Sequence, residues 1–169
     1  MNSLNEQVVL VDRNDNRIGL MEKLEAHEKG LLHRAFSVLL FNNQKELLLQ
    51  QRAFDKYHCG GLWTNTCCSH PHPGEDVKDA ALRRLREEMG IECDLKKSFE
   101  FIYRAEFDNG LTEHEYDHVF TGTFSGAPVI NLHEVADWKY LSREALQIDM
   151  TKHPENYTPW FKIIIDKMR

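Results

Sequence analysis

What this chain lacks narrows the field first. No apolar run approaches the ~18 residues that a membrane-crossing helix requires; stretches such as Val38–Phe41 and Ile163–Ile165 are short. No membrane partner is expected. The opening MNSLNEQ has no basic segment followed by an apolar one, so no secretory signal is expected. Cysteine is scarce, limited to Cys59, Cys67, Cys68 and Cys93. Four cysteines in 169 residues do not make the disulfide framework of a small secreted domain. No C-x₂-C pair is present to hold a structural zinc. Free thiols in a reducing, cytoplasmic setting follow as the expectation. A long basic tract is also missing, and 27 Asp and Glu outnumber 21 Lys and Arg, for a net charge of −6. Nucleic acid is therefore not an expected partner. An anionic substrate would have to be held locally, by a few placed cations and a bound metal. There are no repeats, low-complexity segments or linkers. One domain over residues 1–169, with its core at about 7–167, is expected.

Strands and helices alternate along the rest. Gln7–Asp12 and His33–Asn42 read as strands, and Glu46–Arg52 reads as the hairpin partner of the second. Arg13–Arg17 is turn chemistry and Met21–Glu28 a short helix ahead of Gly30. Phe99–Phe107 and Thr112–Phe124 flank Asp108-Asn109-Gly110, a strong hairpin signal. Glu134–Leu141 is a further strand. Ser142 caps a helix to about Met150, and Thr158-Pro159 opens a last one, Trp160–Lys167. Hairpins rather than regular βαβ units predict a mixed-sheet α/β (α+β) sandwich, not a doubly wound sheet.

The chemistry concentrates in Thr64–Gly90, TNTCCSHPHPGEDVKDAALRRLREEMG. Its second half is a helix capped by Asp76 and ended by Gly90, with Val77, Ala81, Leu85 and Met89 on its apolar stripe. Arg84 and Glu88 border that stripe; Arg83 and Glu87 lie further out. Glutamates at helical spacing present oxygens to a hard divalent cation. Taken alone, the same residues also suit a solvated helix with Arg83–Glu87 and Arg84–Glu88 pairs. The helix resembles the Nudix signature at Glu75, Arg83, Leu85, Glu87, Glu88, Gly90 and Ile91. Ser69 replaces its leading glycine. Arg84 replaces a glutamate that Nudix hydrolases use for metal, which argues against diphosphate hydrolysis, the alternative activity.

The preceding loop, Trp63-Thr64-Asn65-Thr66-Cys67-Cys68-Ser69-His70-Pro71, joined to this altered helix, resembles the type I isopentenyl-diphosphate isomerases. The likeness runs from about Gln7 to the last helix. It implies a Nudix-like α/β/α sandwich and conversion of isopentenyl to dimethylallyl diphosphate, an allylic or homoallylic small molecule, by a monomer or small homo-oligomer. By the same resemblance, Cys68, Glu115, Tyr103 and Trp160 would be catalytic. His27, His33, His70, Glu113 and Glu115 would hold a divalent metal, either Mn²⁺, Mg²⁺ or Zn²⁺. Glu88 would hold a Mg²⁺ that arrives with the diphosphate. Lys23, Arg52, Lys56 and Arg84 would bind the diphosphate itself. Glu113 and Glu115 are two apart, so on a strand they share a face. The remaining histidines, His58, His72, His114, His118, His133 and His153, are expected to be structural, with His72 the strongest substitute ligand.

Overall fold

A computed structural model describes residues 6–169. In chain order the elements are β1 (Gln7–Val11), β2 (Arg17–Glu22), α1 (Lys23–Lys29), β3 (His33–Phe41), β4 (Leu47–Arg52), β5 (Trp63–Thr64) and β6 (Cys67–Ser69). Then follow α2 (Val77–Met89), β7 (Lys96–Glu106), β8 (Thr112–Thr123), β9 (Val135–Leu141), α3 (Arg143–Lys152), a 3₁₀ turn (Pro154–Asn156) and α4 (Pro159–Lys167).

The first departure from the sequence expectation is β2. Arg17–Glu22 is a strand, and the helix starts only at Lys23. The pairs Gln7↔Glu22 and Val8↔Met21 claim the first two residues of the expected helix, and Leu20 packs on Val9, Val11 and Tyr116. Pairing and burial override local propensity here. Helix α1 is then capped by the Glu22 carboxylate, which accepts from the Glu25 amide at 2.9 Å. It ends at Gly30, whose φ of 64° turns the chain towards β3.

The second departure concerns β3 and β4. Their turn forms, with Asn42 Oδ1 accepting from the Gln44 and Glu46 amides, but the ladder stops at one pair, Phe41↔Leu47. Strand β4 pairs instead with β9 and β5. Strand β3 lies between β6, antiparallel to it, and β8, parallel to it from His33↔Glu115 to Phe41↔Thr123. Both strands are apolar on both faces, so alternation could not name their partners. The Asn109-Gly110 hairpin does form as the sequence indicates, joining β7 and β8 in antiparallel register.

Helix α2 covers one face of the sheet. Its Ala80, Ala81, Leu85 and Met89 are buried against Phe36, Val38, Leu40 and Phe120. Leu85 alone is worth roughly 1.5–3 kcal/mol of burial. Asp76 caps the helix by accepting from the Lys78 and Asp79 amides at 3.0 and 3.1 Å. Gly90 ends it at φ 63°, where a Cβ would also lie 2.6 Å from the Val129 carbonyl. On the opposite face α3 and α4 pack Leu146, Phe161 and Ile164 on Leu39, Leu49, Phe101 and Val119. The result is the expected α/β/α sandwich, with both apolar layers leaving the ends of β3, β6 and β8 to a polar cleft.

Candidate active site

Three strands and two loops converge on a polar cleft. Glu113 and Glu115 project into it from one face of β8. His33 begins β3 beside Glu115, a consequence of the parallel register. His27 comes from the last turn of α1 and His70 from the residue after β6. One ligand atom from each of His27, His33, His70 and Glu113 lies within 4.8 Å of the others, and all four residues are buried. Glu115 adjoins this set: its Oε2 is 2.7 Å from His70 Nε2 and 3.4 Å from His33 Nε2.

Two backbone carbonyls decide what the imidazoles offer. His27 Nδ1 is 2.6 Å from the Lys23 carbonyl, and His33 Nδ1 is 2.9 Å from the Leu31 carbonyl. A carbonyl only accepts, so both rings carry a proton on Nδ1 and aim Nε2 inward. His27 Nε2 then faces Glu113 Oε1 at 3.2 Å, as His33 Nε2 faces Glu115. A nitrogen lone pair against a carboxylate is repulsive unless a cation lies between. Without a metal that cation is an extra proton: burial opposes it, yet the Glu113 contact raises the His27 pKa. Burial likewise pushes the two glutamates up, and the imidazoles more than reverse it. Glu113 sits well below the usual carboxylate range and Glu115 at about 2. Burial lowers His70 to about 4, keeping it neutral. Ionised carboxylates and buried, unpaired His27 Nε2, His33 Nε2 and Glu113 Oε2 fit a divalent ion.

The adjacent cysteines separate because successive strand residues point to opposite faces. Cys67 turns to the α2 side, where its thiol donates to Glu88 Oε2 at 2.8 Å. Cys68 turns to the cleft, with Arg52 Nη1 3.9 Å from its sulfur. Burial pushes the Cys68 thiol up, Arg52 pulls it back, and it settles at about 12, so the thiol is protonated. The Tyr103 hydroxyl donates to Glu115 Oε1. Burial, and then the Glu115 charge, hold that phenol well above its ordinary range. Trp160 opens α4 with its ring 6.4 Å from that of Tyr103 and 5.4 Å from the Arg52 guanidinium. The helix start is pinned to β5 through the Thr64 and Thr158 hydroxyls, 2.8 Å apart.

Lys23, Arg52, Lys56 and Arg84 all line the cleft. Three of them are held by carboxylates. Lys23 pairs with Glu6 at 3.3 Å, and Lys56 with Glu134. Arg84 reaches Glu87 at 2.7 Å, Glu134 at 3.4 Å and Glu88 at 3.7 Å. Glu88 is buried while Glu87 is half in solvent, as the helical spacing indicates. Every candidate named from the sequence therefore reaches this region. His27, His33 and Tyr103 stand behind the lining, each touching one of the two glutamates.

Some residues were missed. His58, expected to be structural, is buried with Nε2 against Glu113 Oε1, beside the candidate ligands. It lies in the loop before β5, where no periodicity assigns a direction. His72 is exposed beside Glu75 and is no substitute ligand. Asp117 continues the Glu113, Glu115 face of β8 and accepts from the Ser37 hydroxyl at 2.7 Å. Burial, with Glu115 nearby, pushes its carboxyl well above the usual range. Alternation along β8 was the signal that could have found it. Glu134 had no signal at all.

A helix-flanked mixed sheet whose Arg- and Glu-bearing helix faces a polar cleft defines a Nudix domain. The family model described as NUDIX domain matches residues 31–161, and the chain belongs to that family. A solved protein of Deinococcus radiodurans superposes with a TM-score of 0.73 at 19% identity, covering 87% of this chain and 90% of its own. The MutT protein of Methanosarcina mazei Go1 gives 0.64 at 19%, covering 80% and 91%. At such identity the likeness concerns the fold alone. Within the family, the chain belongs with the isopentenyl-diphosphate Delta-isomerases. It is 52% identical over 165 residues to isopentenyl-diphosphate Delta-isomerase 2 of Aromatoleum aromaticum, covering 98% of this chain and 87% of that protein. It is 54% identical over 157 residues to the isopentenyl-diphosphate Delta-isomerase of Pectobacterium atrosepticum, covering 93% and 88%.

Proposed function

We propose that this chain is an isopentenyl-diphosphate Delta-isomerase of isoprenoid biosynthesis whose proton transfers run between Cys68 and the Glu115–Tyr103 pair. The reaction protonates the terminal alkene carbon, passes through a tertiary carbocation and loses a proton from C2, giving dimethylallyl diphosphate. One group must give a proton and another receive one. The observation that supports this division is the meeting, in one cleft, of a protonated thiol on β6 and an ionised, phenol-linked carboxylate on β8. An alkene is a weak base, so the proton donor must be both strong and well placed.

Lys23, Arg52, Lys56 and Arg84 bind the diphosphate, with the Arg84 fork suited to paired oxygens. The Trp160 ring faces the carbocation without offering a nucleophile, worth ~2 kcal/mol when desolvated. His27, His33, His70, Glu113 and Glu115 hold a divalent ion, Mn²⁺, Mg²⁺ or Zn²⁺, and Glu88 holds Mg²⁺ brought by the diphosphate. Such ions supply positive charge that orders the Glu115 carboxylate and neutralises the diphosphate. Among the described residues no helix is long and apolar enough to cross a membrane. That agrees with a cytoplasmic enzyme acting on a water-soluble diphosphate.

The test is incubation with Mg²⁺ and isopentenyl diphosphate, following dimethylallyl diphosphate and free phosphate. Isomer without phosphate is expected; phosphate release without isomer overturns the reading. In a second arm a chelator stops turnover and leaves the far-ultraviolet circular dichroism unchanged, since the apolar layers on both faces of the sheet contain no ligand residue.

A further inference from the structure

We propose that Tyr57 is a positioning residue for the diphosphate: its ring holds the Lys23 ammonium at the cleft without neutralising it. The inference rests on the reading of Lys23 as a diphosphate-binding residue and concerns a residue to which that reading gives no part.

The contact follows from backbone anchors on both sides. Lys23 opens α1, its amide donating to the Glu6 carbonyl at 2.8 Å. Its own carbonyl accepts from His27 Nδ1 at 2.6 Å, and the two residues, four apart, share a face of the helix. Tyr57 comes from the loop between β4 and β5. Asn109 Nδ2, in the turn between β7 and β8, donates to the Tyr57 carbonyl at 2.8 Å. Arg52 Nη2 donates to the next carbonyl, that of His58, at 3.4 Å, and Cys59 then turns the chain at φ 53°. The ring so presented meets both residues of α1. Lys23 Nζ lies 5.1 Å from its centroid, and the His27 ring stands nearly perpendicular to it, 5.5 Å away. Lys23 and Tyr57 both line the cleft.

A ring holds a cation differently from a carboxylate. Lys56 and Arg84 are held by glutamates, and Lys23 itself has Glu6 Oε2 at 3.3 Å. A carboxylate fixes a cation but cancels its charge, so an incoming diphosphate must displace it. An aromatic face attracts the same cation through its quadrupole and leaves the charge available to an anion on the other side. Tyr57 therefore stays in place when Glu6 gives way. Arg52 has the same arrangement, its guanidinium 5.4 Å from the Trp160 ring. The ring also restricts the flexible lysine stem in advance, which lowers the ordering cost of binding the anion.

The experiment measures binding of inorganic pyrophosphate with Mg²⁺ by calorimetry. It compares full-length wild type, Tyr57→Leu, Tyr57→Phe, Lys23→Met and the double variant Lys23→Met/Tyr57→Leu. Tyr57→Leu should weaken pyrophosphate binding about two- to five-fold. Tyr57→Phe keeps the ring and should bind as wild type does. In the Lys23→Met background the leucine substitution should cost nothing further, a result that general packing would not produce. In Tyr57→Leu the KM for isopentenyl diphosphate should rise while kcat and metal content hold. Unchanged pyrophosphate binding in Tyr57→Leu overturns the proposal. So does an equal loss in Tyr57→Phe, which would assign the effect to the hydroxyl. An equal loss in the Lys23→Met background, or a fall in metal content, would move the ring's role to His27 and overturn it as well. A wild type that binds no pyrophosphate would instead sink the diphosphate-site reading itself.

Discussion

His33 and Glu115 are neighbours in the parallel ladder between β3 and β8. That single register builds the polar end of the cleft. It sets an imidazole from the first residue of β3 beside a carboxylate of β8 and leaves Glu113 facing α1, where His27 waits. A slip of one residue would send Glu113 and Glu115 through the sheet to the α2 side. Burial on both faces forbids that slip, because Val119 and Phe120 would exchange apolar layers with it.

The two cysteines on β6 should behave differently. Cys68→Ala should lower kcat by about 10²–10⁴-fold, the usual worth of a placed proton-transfer group. Cys67→Ala should keep most of the activity, since its thiol serves Glu88 from the far side of the strand. Steady-state kinetics on both variants checks this. Equal losses would place the chemistry on the wrong member of the pair.

Trp160→Ala should cut kcat by about 30-fold, the equivalent of ~2 kcal/mol of cation–π stabilisation, and leave metal content unchanged. The residue is buried, and truncating a buried aromatic costs ~3–5 kcal/mol of stability. Trp160→Phe, which keeps a ring, should therefore fall between wild type and alanine in kcat. Metal analysis and circular dichroism on both variants separate lost chemistry from lost packing.

Glu134 pairs with both Lys56 and Arg84. A diphosphate must compete with it for both cations. Glu134→Gln should accordingly tighten competitive inhibition by inorganic pyrophosphate about five-fold, the equivalent of ~1 kcal/mol for one partly exposed pair. The gain should shrink as salt is raised. Weaker pyrophosphate binding in the variant would show that Glu134 arranges the cations and does not compete for them.

Glu75 links the loop to α2 through two hydrogen bonds from Arg83, at 2.8 and 2.9 Å. The Arg83 bonds hold its carboxyl at about 2, against an ordinary 4.5. The folded pKa is the lower one, so the pair's contribution is complete above pH 4.5 and is lost as pH falls towards 2. The pair lies at the surface, with both side chains partly exposed, so no more than ~1 kcal/mol is expected. Urea melts of the metal-free Glu75→Gln and wild-type proteins should differ at pH 6 and converge near pH 2. A constant gap across that range would rule out the ion pair as its source.

Much of this was legible beforehand wherever a local pattern names a face. Asp76 and Gly90 bound α2 because capping chemistry is local. Glu88 faces inward and Glu87 outward because 100° per residue says so. Asn109-Gly110 forms its hairpin for the same kind of reason. Partner choice was not legible. Strand β4 turns back after β3 yet joins β9, because the turn sets direction while packing against α3 and α4 sets company. His58 and Glu134 sit on irregular backbone, where no period exists to read.

The sequence by itself determined the helix α2 with Arg84 and Glu88 bordering its apolar stripe, the shared face of Glu113 and Glu115, and the loop with its cysteine pair. These follow from spacings of one, two and four residues, which the backbone converts directly into direction. Only the tertiary structure decided that β3 and β8 run parallel, so that His33 meets Glu115. It also decided that Cys68 rather than Cys67 opens on the cleft, that backbone carbonyls turn the Nε2 atoms of His27 and His33 inward, and that His58 lies against Glu113. Those are contacts between residues distant in the chain, set by which apolar surfaces close on one another, and local periodicity holds no record of them.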